Sequence, residues 1–342
     1  GAARLGGSDP CAAADLLEVS VIVARTVPGD TASTATIDAA VDAATAVRAQ
    51  CTRLRQAQND DTTLTTLPGR LLYSTQTGAE SYRIYAVGAA VGSSAVEVVA
   101  DGRQPALSPA DSIIAFHSTR PDVVGIAGRN LNAGGDISSH SIIFTRGVGD
   151  AVDSPPSWSG SGDRLAYASV DPTDLRSRIY TVAADGRDTP SRIAAGLAPA
   201  WSPTSDVIVY NGVDDAGQQP GLWLMRADGS DATPLTSNSA DTRPVWAPDG
   251  GSIVFMSNGR SGDWDVFRLN LADGIVMQLT TESSQDGLPA ISPDGQHVAF
   301  VSDRGGNWNI WVKPLDGGRT LLLAPIEGSL TNWLEHTLQW IP

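Results

Sequence analysis

The chain has 342 residues, enough to bury a large core, and its apolar residues, 41% of the whole, are so dispersed that no membrane-spanning helix is expected. Its 38 acidic and 23 basic side chains leave a formal net charge of −15, which argues against nucleic acid and anionic membranes as partners and favours cationic ones. Nearly every base is an arginine, Lys313 being the one lysine, and 35 glycines with 21 prolines mark a chain of many turns.

In chain order, Gly1 to Pro10 is rich in Gly and Ala and lacks the charged-then-apolar order of a secretion signal, which reads as a chain already processed. Asp9 and Pro10 then suit the cap and first position of a helix, followed by Leu16, Leu17, Val19 and Val23. Val27-Pro28-Gly29-Asp30 breaks the pattern. Beyond it Ile37, Val41, Ala44, Val47, Cys51 and Leu54 recur at helical spacing. Residues 1–58 are thus expected to form a helical hairpin. Cys11 and Cys51 lie at similar distances on either side of the turn, so antiparallel helices would bring both to the open end. A Cys11–Cys51 disulfide would staple them there; the other reading is two reduced, buried cysteines. Residues 59–68, rich in Thr and Asp, read as a linker.

From residue 69 the chain repeats itself. Pro105-Ala106-Leu107-Ser108-Pro109 recurs as Pro156-Ser157-Trp158-Ser159-Gly160, Pro199-Ala200-Trp201-Ser202-Pro203, Pro244-Val245-Trp246-Ala247-Pro248 and Pro289-Ala290-Ile291-Ser292-Pro293. The leading prolines stand 51, 43, 45 and 45 residues apart, a period that marks propeller blades. Turns such as Pro248-Asp249-Gly250 lead into second strands, including Ile253 to Met256 and Val298 to Val301. Third strands follow at Arg178 to Val182, Leu222 to Met225, Asp265 to Leu269 and Asn309 to Val312, with short outer strands such as Thr233 to Thr236 and Met277 to Thr280. Four strands make a blade. Leu71 to Ser74 and Arg83 to Ala86 supply a second and third strand with no first strand before them. Leu338-Gln339-Trp340-Ile341-Pro342 supplies it, so an all-β, six-bladed propeller closed by its C-terminal strand is expected over residues 69–342.

These repeats, with Ser302-Asp303-Arg304-Gly305-Gly306 and Ile310-Trp311 behind the last full copy, resemble the TolB-type propeller family over residues 69–342. In the family's namesake a mixed α/β domain precedes the propeller, whereas residues 1–58 here read as helical. The resemblance therefore implies the fold and not the namesake's role in the Tol-Pal system. One blade departs from the pattern. Ser118 to His140 reads as an irregular insertion, either a contact loop, with Asn130 and Asn132 as its candidates, or local drift in one repeat, and Ile142-Ile143-Phe144 leaves little room for an outer strand.

The sequence offers little chemistry. None of His117, His140, His297 and His336 sits in a catalytic motif, and no Gly-x-Ser-x-Gly elbow is present. Asp263, Asp265 and Asp303 match no calcium-loop spacing. No cofactor motif and no metal site are expected. Trp158, Trp201, Trp246 and Trp340 hold equivalent positions and read as core; Trp264 and Trp308, in equivalent loops before third strands, either pack beneath the blade or offer a ring to a sugar or a protein side chain. The reading is a non-catalytic scaffold, secreted, periplasmic or on the cell surface, that binds protein partners or associates with itself and contacts no nucleic acid. The alternative is a carbohydrate lyase or hydrolase with its site at the central channel.

Overall fold

The computed structural model describes residues 66–342 apart from 79–80, 111–112, Val124, 131–141, 146–153, Pro172 and 213–218. The helical hairpin, Cys11, Cys51, Asn132 and His140 lie outside the described residues. Apart from a single 3-10 turn, Trp333–Glu335, the described elements are all strands, in six four-stranded antiparallel sheets. Residues Thr65–Leu315 and Thr320–Pro342 form one compact unit, the propeller.

Each sheet is one blade, with an inner strand facing the axis and an outer strand at the rim. In blade 5 the order is Thr242–Trp246, Ser252–Ser257, Asp265–Asn270 and Val276–Gln278; in blade 6 it is Asp286–Ile291, His297–Ser302, Asn309–Pro314 and Leu321–Pro325. Blade 1 draws its inner strand, Leu338–Ile341, from the C-terminus. That strand pairs Trp340 with Leu71 and Gln339 with Leu72 in Thr66–Gln76, which begins inside the stretch expected to be a linker. Hydrophobic clusters bridge neighbouring blades. One joins Val209 and Leu222 of blade 4 to Phe255 and Phe267 of blade 5, and another joins Val254 and Val266 of blade 5 to Val298 and Phe300 of blade 6. Branched and aromatic residues dominate these strands because both faces of a blade are covered by its neighbours.

Blade 2 corrects the sequence reading. Its third strand is Gly125–Asn130, within the supposed insertion, and Ile142–Ile143 is its outer strand. The strand was hidden by its glycines. Gly128 carries no side chain because the Phe144 ring covers it: a Cβ there would lie 2.9 Å from Phe144 Cε2. Asn130, expected in a contact loop, ends this strand opposite Ile113 and is half-buried.

The inner strands share a second irregularity. Gln104, Ala198, Arg243 and Leu288 have φ between 48° and 53°, and each directly precedes the repeat proline. Proline disfavours the right-handed helical region for the residue before it, and the left-handed region costs a non-glycine residue about 1 kcal/mol. The result is a bulge that shifts register in all four strands. Three of the bulged N–H groups find acceptors outside their own blade's sheet: Gln104 donates to Ser74 Oγ (3.3 Å), Ala198 to Ser154 Oγ (2.7 Å) and Leu288 to Met256 Sδ (3.4 Å).

Leu338, Trp340 and Ile341 are buried, and Trp340 Nε1 donates to the Pro68 carbonyl at 2.9 Å. Trp340→Ala is expected to cost about 3–5 kcal/mol in urea unfolding. Deleting residues 338–342, which strips blade 1 of its inner strand, is expected to abolish the cooperative transition. An unchanged transition midpoint in either variant would show that this strand does not hold the ring.

Candidate functional site

The axis of the ring is treated differently at its two ends. At the face carrying the Pro-Asp-Gly turns the channel opens into a cavity of about 530 Å³, lined by Trp158, Trp201, Trp246 and Trp340 and by the repeat prolines, with Val245 and Ala290 between them. Among the described residues, no side chain lining it is titratable. The four tryptophans are nearly buried, and their N–H groups are held: Trp158 donates to Ala106 O and Trp246 to Ala200 O, each in the preceding blade, Trp201 to Asp206 Oδ1, and Trp340 to Pro68 O. Their rings are thus wall and not free donors, which makes the tunnel an apolar surface of fixed shape.

The opposite mouth is shut by Ser329–Thr337, the connection from blade 6 to the closing strand. It is tied to blade 1 through paired bonds between Gln76 and Ser329. Arg103 of blade 2 donates to Glu335 Oε2 at 3.0 Å, joined there by Tyr82 OH at 3.2 Å, and Arg243 of blade 5 donates to the Leu334 carbonyl. Blades 2 and 5 face each other across a ring of six. A turn bonded to both must cross the axis, so this segment is a plug.

Below the plug lies a buried polar cluster. His336, 1% exposed, meets Ser74 Oγ through Nδ1 at 3.2 Å, and the same hydroxyl accepts the Gln104 N–H. Burial, together with the charges of Arg103 and Arg243, pushes the His336 imidazole down to about 4, against backbone contacts from Thr331 and Ser74 that favour the charged form. Among the described residues, its Nε2 and both amide atoms of the fully buried Gln104 find no hydrogen-bond partner. The cluster is a Ser–His pair, but one sealed from solvent.

The remaining candidates are scattered. His297 begins the second strand of blade 6 and His117 lies near the end of that of blade 2, so neither joins His336. Burial also holds the His297 imidazole below its usual range. Asp265 is buried against Thr280 and Gln278, and burial raises its carboxyl above the ordinary value. Asp303 accepts the Gln285 N–H at 2.8 Å. Among the described residues, no three His, Cys, Asp or Glu side chains converge as metal ligands, and no helix is long and apolar enough to cross a membrane.

Trp264 and Trp308 meet at the plug. Trp333 makes an edge contact with Trp264 (centroids 6.0 Å, 88°) and a tilted stack with Trp308 (5.1 Å, 34°). Its inner edge rests on Gly287, where a Cβ would lie 2.6 Å from Trp333 Cζ3, and Met256 sits beside it. The equivalence of the Trp264 and Trp308 loops was legible in the sequence. Trp333, Arg103 and Arg243 were not, because the plug belongs to no repeat.

The depressed His336 value has a consequence for stability. The unfolded imidazole binds a proton near pH 6.5 and the folded one only near 4, so stability falls as pH drops through that window and levels off below it. The gap amounts to about 3 kcal/mol. His336→Asn is expected to remove this slope, so urea unfolding at pH 7 and pH 4 should show the natural protein losing about that much more than the variant. Equal losses in both proteins would place the His336 imidazole in contact with solvent.

Comparison with known proteins agrees with the ring. A family model described as the TolB beta propeller domain matches residues 149–327. No curated protein sequence matches the chain. Among solved structures, TolB from Acinetobacter baumannii is 21% identical with a TM-score of 0.64, over 80% of this chain and 67% of that one. A chain of a nidogen/laminin complex is 11% identical (TM-score 0.56; 80% and 98%). Oligogalacturonate lyase in complex with manganese is 14% identical (TM-score 0.51; 73% and 72%). At these identities the solved structures speak for the fold alone. With the family model matching more than half of the chain, the protein belongs to the TolB beta-propeller domain family.

Proposed function

We propose that the chain is a non-catalytic, protein-binding scaffold that works outside the cytoplasm, secreted, periplasmic or at the cell surface. One observation carries this reading: the open end of the channel is a largely apolar cavity whose described polar side chains are Ser108, Ser157, Ser159, Thr337 and Gln339, with no carboxylate, imidazole, amine or thiol side chain beside those hydroxyls to activate them, while the far end is plugged. Such a cavity can seat apolar side chains of a partner and exclude water, but it offers nothing to move a proton. The nidogen/laminin neighbour supports the reading, being a chain of similar fold from a complex between two proteins. A second copy of the chain is one such partner, and a Cys11–Cys51 disulfide in residues 1–58 would suit the oxidising side of a membrane.

The lyase among the fold neighbours supports a second reading, a propeller enzyme with its site at the channel. Its manganese would demand converging ligands, and the described histidines lie apart.

A photo-crosslinking residue at Val245, on the cavity wall, is expected to yield discrete adducts with one polypeptide in intact cells, while the same group at the rim residue Ser191 yields none. If that polypeptide is the chain itself, light scattering should show assemblies, and removal of residues 1–58 tests whether they join through that region. Equal adducts from both positions, or turnover of oligogalacturonate in the presence of manganese, would overturn the proposal. Compartment is tested separately: the native, unreduced protein is expected to show no free thiol after denaturation, whereas two reactive thiols would deny the disulfide.

A further inference from the structure

The plugged mouth carries a feature that the tunnel reading leaves unused. Trp264, Trp308 and Trp333 come from three separate segments and converge, yet all three remain half-buried. The repeat tryptophans Trp158, Trp246 and Trp340 are buried with their N–H groups bonded to carbonyls; among the described residues, none of the three indoles at the plug donates a hydrogen bond. Trp333 rests on Gly287 beside Met256, and Trp264 and Trp308 lean on Trp333, so the cluster is built on a backed central ring.

The loops that carry two of these rings show what chemistry suits them. Arg260, in the Trp264 loop, lies 5.4 Å from the Phe255 ring and 5.7 Å from Phe267, and Asp241 grips it through both carboxylate oxygens. Arg304, in the Trp308 loop, lies over Phe300 and Trp311 at 5.2 and 5.1 Å and bonds Asp286 at 2.7 Å. Each is a guanidinium held between aromatic faces and a carboxylate. At the plug the aromatic faces recur without the cation, and the loops that carry two of the rings each supply a carboxylate close in sequence. Asp263 directly precedes Trp264 and is exposed, Asp303 shares the Trp308 loop, and among the described residues neither forms an ion pair and no cation lies over the three rings.

We infer that the Trp264–Trp308–Trp333 platform is a docking site for a cationic side chain, arginine above all, on a basic segment of a partner polypeptide. The inference rests on the scaffold reading and adds a second contact surface, opposite the tunnel, with its own specificity. Arginine suits the platform because a planar guanidinium stacks on an indole while its edge N–H groups reach a carboxylate, which a lysine ammonium does less well. The free indole N–H groups can donate to backbone carbonyls of the same segment. A net charge of −15 draws such a segment in, and the platform decides where it settles.

The test uses the whole protein and three probes: a hexa-arginine peptide, a hexa-lysine peptide and cellohexaose, by calorimetry at about 0.15 M salt, where long-range attraction is screened beyond about 8 Å. Hexa-arginine is expected to bind tighter than hexa-lysine. Trp264→Ala and Trp308→Ala should each weaken it by about tenfold, Asp263→Asn should flatten its salt dependence, and Asp249→Asn on the opposite face should change nothing. Trp308→Phe keeps a ring and should recover most of the binding, which separates a lost contact from a damaged fold. Hexa-arginine affinity unaffected by both alanine substitutions would overturn the inference, as adhesion by net charge alone. Cellohexaose binding that requires Trp308 while hexa-arginine does not would overturn it in favour of a saccharide site. Loss of the Val245 adducts with these results intact would sink the tunnel reading and leave the platform standing.

Discussion

The inner wall of the ring depends on one backbone constraint, a left-handed residue immediately before a proline. In blades 2, 4, 5 and 6 the pair bulges the inner strand, and in blades 2, 4 and 6 a group outside the blade's own sheet captures the freed N–H. Ser74 does so for Gln104 and Met256 for Leu288, each from the blade before, so the strain of one blade is relieved by its neighbour. Beyond the bulge, Pro-x-Trp returns to regular pairing and turns its prolines and indoles to the axis. The apolar tunnel is a by-product of this solution, repeated around the ring.

The plug follows from the topology of closure. A chain whose last strand completes the first blade must travel from the rim of blade 6 back to the axis, and here it does so over the mouth. Residues Ser329–Thr337 could have taken an indifferent path; instead Arg103 and Arg243 hold them from opposite sides, and Trp333 is fitted to a glycine. A buried neutral histidine beneath, with Ser74 as its contact, costs stability that an apolar side chain would not, and this is where the repeat rules are broken.

What was legible in the sequence follows the same division. The Pro-x-Trp-Ser-Pro period gave the number of blades and most second and third strands because those elements obey local rules at fixed spacing. Blade 2 escaped where Gly125 and Gly128 replace the branched residues that advertise a strand, their emptiness filled from outside by Thr145 and Phe144. The equivalence of Trp264 and Trp308 was visible, but their meeting on Trp333 was not, since it joins residues that no period relates. His117 and His297 could be named but not located, because second-strand position does not reveal which residue turns to the axis, and His336 could not because it lies in the plug, outside the period.

The two mouths therefore differ in kind. The tunnel has shape and apolar surface without charge, and binding there would be governed by fit and by water released. The plugged face has aromatic rings set among carboxylates, and binding there would be governed by charge and orientation, with a strong dependence on salt. On the proposed reading, a single ring presenting both would hold a partner at each end, with the plug and the buried cluster beneath it between the two contacts. That separation joins a segment outside the repeat, Ser329–Thr337, to blade residues Ser74, Arg103, Gln104 and Arg243, and it sets this propeller apart from a bare ring of six blades.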